Sequence, residues 1–216
     1  MISMVIVLPS PPALSRREAR RRERRESILT LAARSFLESG YAATTMSGIA
    51  AKMGGSKGTL WSYFPSKEEL FAAVLDHQTT AYRERLSRIL DPCEELVPTL
   101  SRFCHALLEK VTSPDAIALN RLVTAEASRF PEVGNIFYEH APANTRRLLA
   151  GYLAGAMDRG LLRRDDPERA AHALLTLIMA GCHRQMVWGL LDEASPDKIA
   201  ADCGFALDLF LRAYAP

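Results

Sequence analysis

The chain lacks any apolar run that could span a bilayer. Its longest, around Leu174–Met179, falls far short of the ~20 residues a membrane helix needs. The opening segment MISMVIVLPSPPALS carries only a short apolar stretch, Met4 to Leu8, with positive charge after it rather than before it, so no secretory leader is expected. Cysteine is scarce: Cys93, Cys104, Cys182 and Cys203 are scattered without C-x-x-C spacing, which argues against a disulfide framework and for reduced thiols in a cytoplasmic protein. Cys104-His105 and Cys182-His183 are adjacent pairs, and neighbours on a helix point ~100° apart, which is poor ligand geometry. No metal or other cofactor is therefore expected. H-E-x-x-H and phosphate-binding loops are absent as well, and the chain does not read as an enzyme. Strand signals are missing too: there is no Asn-Gly turn and no sustained apolar/polar alternation.

What is present is helix, together with an uneven spread of charge. The net charge of +2 hides a division, because residues 1–67 hold eleven Lys and Arg against four acidic residues, while the remainder is acidic. A basic part for a polyanion and a second part for something else is the simplest organisation. Pro9, Pro11 and Pro12 predict a disordered extension over residues 1–15. Between Arg16 and Arg25 stand seven arginines and two glutamates, a basic lead into the first helix. This run is expected to give auxiliary phosphate or minor-groove contact, although a plain solvated face is the usual fate of such runs. The pairs Ile28/Leu29, Ala32/Ala33 and Phe36/Leu37 form its apolar stripe, and Gly40 ends it.

Thr45 is a plausible cap for a short second helix, Gly54 and Gly55 permit a turn, and Ser56 can cap a short third helix from Lys57 to Phe64 that Pro65 stops. Ser66 and Glu69 have capping-box spacing for a long fourth helix. Two short helices joined by a glycine-containing turn make a helix-turn-helix, whose second member lies in the DNA major groove. On that reading Lys57 reaches a guanine edge or phosphate, Gly58 permits close approach, and Thr59 touches a thymine methyl or phosphate. Leu60 and Phe64 face inward, Trp61 and Ser62 face the sugar-phosphate wall, and Lys67 with the start of the fourth helix offers a second phosphate clamp. Thr45 and Ser66 also fit plain caps, and Tyr63 plain packing.

The stretch TTMSGIAAKMGGSKGTLWSYFPSKEELFAAVL closely resembles the DNA-binding domain of the TetR/AcrR family of transcriptional regulators. The resemblance implies a three-helix DNA-binding head, a larger helical domain for effector binding and dimerisation, Thr45 as a backbone contact, and Tyr63 and Lys67 as phosphate contacts. Gly55, Trp61 and Ser62 depart from the usual Val, Tyr and His. Farther along, E-x-x-R-F-P-E-V and G-L-L-R-x-D-D-P resemble the AefR-related subgroup, implying a ligand pocket and a dimer through the last two helices.

The residues support the second domain independently. A helix from Pro167 to Leu190 would be apolar nearly all round and so buried on two sides, by its own core and by a partner. The following helix, Pro196 to Tyr214, also offers an apolar stripe. Candidate pocket residues are Phe103, Leu107, Met157, Met179, Met186 and Trp188, with Arg121, Glu126 or His183 as polar anchors; core packing is the competing role for each. The expected architecture is all-α, about nine helices, with a helix-turn-helix domain over 16–66 and an effector-binding and dimerisation domain over 67–216. The expected function is a homodimeric repressor that binds a near-palindromic double-stranded operator and is released by a small hydrophobic or amphipathic molecule moving the fourth helix. A helical interaction module that has lost specific DNA binding is the alternative. No membrane partner is expected.

Overall fold

The computed structural model describes residues 15–54 and 57–216, Lys57 by its backbone alone. The expected extension over 1–15 therefore lies outside the described residues except for Ser15, as does the proposed Ser56 cap. Eleven helices and no strand occur among the described residues: α1 (Arg16–Ala43), α2 (Met46–Lys52), α3 (Lys57–Tyr63), α4 (Lys67–Ile89), α5 (Leu96–Val111), α6 (Pro114–Glu126), α7 (Pro131–His140), α8 (Pro142–Asp158), α9 (Pro167–Met179), α10 (Cys182–Val187) and α11 (Pro196–Tyr214). The all-α expectation holds, with eleven helices where about nine were expected.

Local chemistry sets these boundaries. Ser15 opens α1 through a reciprocal capping box with Glu18. Regular helix stops at Gly40, whose φ of 79° lies in the left-handed region that glycine adopts without a Cβ penalty. Buried Thr44 secures the exit by donating its hydroxyl to the carbonyls of Ser35 and Gly40, at 3.0 and 2.7 Å. Thr45 and Ser66 cap α2 and α4 by accepting from the N–H groups of Gly48 and Glu69. Proline occupies the first turn of α6, α7, α8, α9 and α11, where its missing N–H costs nothing.

The single helix expected from Pro167 to Leu190 is corrected by the structure. It breaks at Ala180–Gly181, and α10 starts anew. The carboxylate of Asp202 on α11 accepts the backbone N–H of Cys182 at 2.6 Å, capping α10 from outside. That carboxylate sits where a Cβ on Gly181 would stand, so a side chain there would have to push it aside.

Two apolar cores result. The first joins Ile28, Leu29, Phe36 and Tyr41 of α1 to Ile49 of α2, Leu60 and Phe64 on and beside α3, and Leu70, Phe71, Val74 and Leu75 of α4, closed by Leu122, Val123 and Val133. The second gathers α5, α8, α9 and α11 around Leu100, Phe103, Leu153, Leu174 and Phe210. The helix α4 belongs to both, with its first two turns in the head core and Leu86 in the other.

Candidate nucleic-acid interface and ligand cavity

The short α3 has a clear inside and outside. Leu60 and Phe64 are buried, whereas Gly58, Trp61 and Ser62 are exposed and Thr59 and Tyr63 half-buried. Trp61, 39% exposed, keeps an apolar face open to solvent. The Ser62 hydroxyl donates to the Thr59 carbonyl at 2.7 Å, leaving its lone pairs outward. Arg21 and Arg25 of α1 lie over the rings of Tyr63 and Phe64, 5.8 and 5.2 Å from their centroids. These are cation–π distances, and they fix the basic lead of α1 against the C-terminal end of α3. Thr45 stands exposed at the start of α2, its oxygen already accepting from Gly48 and its hydroxyl proton still able to donate.

Lys67 is drawn inward at the junction of α1 and α4. Its ammonium donates to the Tyr41 carbonyl at 3.0 Å and sits 4.0 Å from the Tyr41 ring centroid. The Tyr41 hydroxyl donates to Glu68 at 3.2 Å. Burial first, then the charge of Glu68, holds the Tyr41 phenol far above its ordinary titration range. The Glu68 carboxyl is held low, first by a backbone hydrogen bond and then by Ser66 and Tyr41 against some burial. Across the same junction Glu126, the last residue of α6, accepts the N–H groups of Tyr41 and Ala42 at 2.8 and 2.7 Å. One carboxylate from the second unit thus grips the backbone just past the Gly40 turn of the head.

A cavity of about 370 Å³ lies above this junction. Leu75, Gln78, Thr79, Tyr82 and Arg83 of α4 form one wall, and Asp115, Ala116, Leu119 and Asn120 of α6 face them. Leu107, Lys110 and Val111 of α5, Phe137 and Thr145 from α7 and α8, and Leu175, Met179 and His183 complete the lining. Burial holds the His183 imidazole below its usual pKa and so favours its neutral form, with Arg184 acting in the same direction. At one edge Asp76 pairs with His140 at 3.0 Å, tying α4 to the end of α7.

The sequence candidates distribute unevenly around this space. Leu107, Met179 and His183 line the cavity. Phe103 and Met157 are buried in the second core, Met186 is buried on α10, and Trp188 is 67% exposed on the surface. Arg121 donates from Nε to the Val187 carbonyl at 3.1 Å and also to the Met186 carbonyl, tying α6 to α10. Glu126 is taken up at the junction with the head. The wall residues absent from the sequence reading are chiefly on α4. Their signal was available: Gln78 and Thr79 interrupt the stripe Leu75–Tyr82 at i, i+3, i+4 and i+7, putting polar atoms on an inward face.

The buried thiols add no second chemistry. Burial pushes those of Cys104 and Cys203 up to about 12 and that of Cys182 up to about 11, so none supplies thiolate near neutrality. Among the described residues no group of three or more potential ligands could hold a metal ion, and no helix is long and apolar enough to cross a membrane.

Comparison with known proteins gives two consistent matches. Residues 28–74 match the model for bacterial regulatory proteins of the tetR family, and residues 98–216 match that for the AefR-like transcriptional repressor C-terminal domain. The flavonoid-responsive regulator FrrA is 34% identical and superposes with a TM-score of 0.74, over 90% of this chain and 98% of that one. A TetR-family regulator from Mesorhizobium loti MAFF303099 reaches a TM-score of 0.79 at 24% identity, over 91% of this chain and 99% of that one, a likeness of fold. The HTH-type transcriptional regulator YhgD of Bacillus subtilis (strain 168) is 25% identical over 162 residues, 73% of this chain and 82% of that protein.

Proposed function

Because the chain belongs to the TetR family of bacterial transcriptional regulators, with an AefR-like C-terminal domain, we propose that it is a homodimeric repressor released from its operator by a small ligand. The observation that carries this is the double duty of α4, which packs Leu70, Phe71 and Val74 into the head core and lines the cavity from Leu75 to Arg83. A helix is stiff over this length, so a molecule that displaces its cavity half tilts its head half as well. The head is residues 16–66 with the start of α4, and residues 67–216 supply ligand binding and dimerisation.

Lys57, Gly58 and Thr59 read the major groove; Trp61 and Ser62 meet its wall; Thr45, Tyr63 and Lys67 take phosphates. The exposed apolar residues Phe205 and Leu209 on α11, 64% and 37% accessible, support a two-fold dimer through the last helices. Gly204 beside them opens onto free space, so a partner helix can approach closely. The two-fold sets two α3 helices one DNA turn, ~34 Å, or a multiple apart and calls for a near-palindromic site. Such a protein works where the chromosome is, in the cytoplasm.

The lining mixes aliphatic side chains, the rings of Tyr82 and Phe137, and amides at Gln78 and Asn120. This suits a small hydrophobic or amphipathic ligand. The name of the flavonoid-responsive regulator FrrA makes flavonoids the first compounds to try.

The test selects a duplex with the full chain from a random library and measures its affinity by fluorescence anisotropy, with Lys57→Ala in parallel and flavonoids and fatty acids added in turn. Selective binding that Lys57→Ala weakens by about tenfold or more, one base contact's worth, and that a ligand reverses is the expected result. A reversing ligand must also bind free protein more tightly than operator-bound protein, by the same factor. Recovery of no preferred sequence would refute the DNA-binding reading, and equal ligand affinity for both forms would refute induction.

A further inference from the structure

We infer that the first three turns of α1 form a second DNA-contacting element, an ordered basic rail that takes the phosphates flanking the site read by α3. The inference rests on the DNA-binding reading and extends its footprint.

All seven arginines between Arg16 and Arg25 are exposed on a continuous helix that begins with a capped Ser15. Their distribution around the helix is not random. With 3.6 residues per turn, Arg16, Arg20, Arg24 and Arg17 fall in order within about 100° of one flank, and Arg21 and Arg25 follow directly beside them. Six guanidiniums thus occupy about half of the circumference. The other half carries Glu18, Glu23, Glu26 and Arg22. Among the described residues Arg22 alone of the seven pairs with a carboxylate, that of Glu26 at 3.9 Å, and this pair lies on the acidic half.

This segregation has a cost. Arg16/Arg20, Arg20/Arg24, Arg17/Arg21 and Arg21/Arg25 are like charges four residues apart, each of which destabilises an isolated helix. Among the described residues, Arg21 and Arg25 lie over Tyr63 and Phe64, and no carboxylate pairs with the basic half to offset the repulsion. A polyanion would. The Arg21 and Arg25 stacks also fix where the rail lies, beside Tyr63 at the C-terminal end of α3 and continuing outward through Arg16. From Arg16 to Arg25 the rail runs about 13 Å, a length over which duplex DNA presents roughly eight phosphates. Guanidiniums without base-directed geometry bind phosphate and read no sequence, so the rail adds affinity and salt dependence rather than specificity.

The test uses the full chain and the duplex selected above, once trimmed to the base pairs whose sequence the selection fixes and once extended by unrelated sequence at both ends. Arg16, Arg17, Arg20 and Arg24 are changed together to Gln, which keeps helix propensity and leaves the Arg21 and Arg25 stacks in place; circular dichroism checks the fold. Arg22→Gln serves as the opposite-face control. The wild-type chain is expected to bind the extended duplex about tenfold or more tighter than the core. The quadruple variant is expected to lose that difference and to lower the slope of log K against log salt by about two to four per protomer, at ~0.9 per phosphate. It should keep its preference for the selected sequence, and Arg22→Gln should change the slope by less than one. An unchanged slope in the quadruple variant overturns the rail. A fall per charge equal to that of Arg22→Gln overturns the face assignment and leaves only diffuse charge. Loss of sequence preference in the wild-type chain itself would instead refute the reading of α3, a distinct outcome.

Discussion

The two cores solve different packing problems. In the head, Phe36, Tyr41 and Phe71 meet ring to ring, with centroids 5.1 to 5.7 Å apart, and Phe130 closes on Tyr41 at 5.8 Å. Interlocked rings have few ways to repack, which suits a unit that must hold α3 at a fixed angle to DNA. The second core is built mostly from Leu and Ala, its one ring-to-ring contact among the described residues being Phe210 on Tyr214, and it stops short of filling the space between α4, α5 and α6, where the cavity stands. A hollow forfeits dispersion contacts along its walls, so this region is the softer of the two. Rigidity in the head and slack around the cavity is the division of labour that the proposed ligand control would need.

The sharpest way to break the comparison is to remove one side chain from each core. Phe71→Ala takes a fully buried ring from the aromatic cluster and is expected to cost about 3–5 kcal/mol, whereas Leu107→Ala, beside an existing void, should cost nearer 2 kcal/mol. The chain carries one tryptophan in each region, Trp61 on α3 and Trp188 after α10. Chemical denaturation of Trp61→Phe and Trp188→Phe backgrounds therefore reports the regions separately. Equal costs for the two truncations would mean that the cavity collapses in solution.

Gly181→Ala comes next. The new methyl would meet the Asp202 carboxylate, so either the α9–α10 break opens or the cap on Cys182 is lost. Overpacking of this kind costs about 1–3 kcal/mol. Asp202→Ala frees the space but leaves the Cys182 N–H without its acceptor, at about 1 kcal/mol. Adding Asp202→Ala to Gly181→Ala should therefore cost less than the sum of the two, a coupling that a double-mutant cycle reads directly. Strict additivity would show that the carboxylate moves aside freely.

How far the fold was legible follows the same division. The head is written in short-range code: Thr45 and Ser66 cap, Gly40 stops, Pro65 interrupts, and each acts within a few residues of itself. The apolar stripe of α1 was equally readable, because Ile28, Ala32 and Phe36 repeat every turn. The break at Gly181 was not, because what holds it is Asp202, twenty residues away and on another helix. Periodicity continued through it, and so the sequence read one helix. The cavity suffered similarly. Composition nominated Met157, Met186 and Trp188 as wall residues, but which face of a helix points at a void depends on seven helices at once, α4 to α10. Only the polar interruption at Gln78 and Thr79 carried a local hint. Glu126 illustrates the limit well, since a glutamate near the end of a helix gives no sign that it will bind backbone N–H groups 84 and 85 residues earlier.

That long-range contact gives the third prediction. In Glu126→Gln the amide offers one acceptor where the carboxylate offered two, so one of the Tyr41 and Ala42 N–H groups is left facing NH₂. Head stability reported by Trp61 should fall by about 1–2 kcal/mol, with little change at Trp188. Because α6 also lines the cavity through Asp115, Leu119 and Asn120, loosening its far end should weaken the effect of a bound ligand on DNA affinity more than it weakens DNA binding itself. A drop at Trp188 instead of Trp61 would place the role of Glu126 within the second core.

The smallest expected effect separates the regions by pH. His183 has its pKa lowered from 6.5 by burial in the cavity wall, so the unfolded chain takes up a proton there before the folded one does. The associated stability is complete above 6.5 and is lost as pH falls from that value toward the lowered one. Glu68 in the head is lowered from 4.5, so its contribution is complete above 4.5 and is lost only as pH falls below that value. Between pH 7.5 and 5 the transition seen by Trp188 should therefore shift to lower denaturant while that seen by Trp61 stays nearly fixed. Substituting His183 by Gln should flatten the Trp188 response over that window. A response that persists after the substitution would show that His183 is not its source.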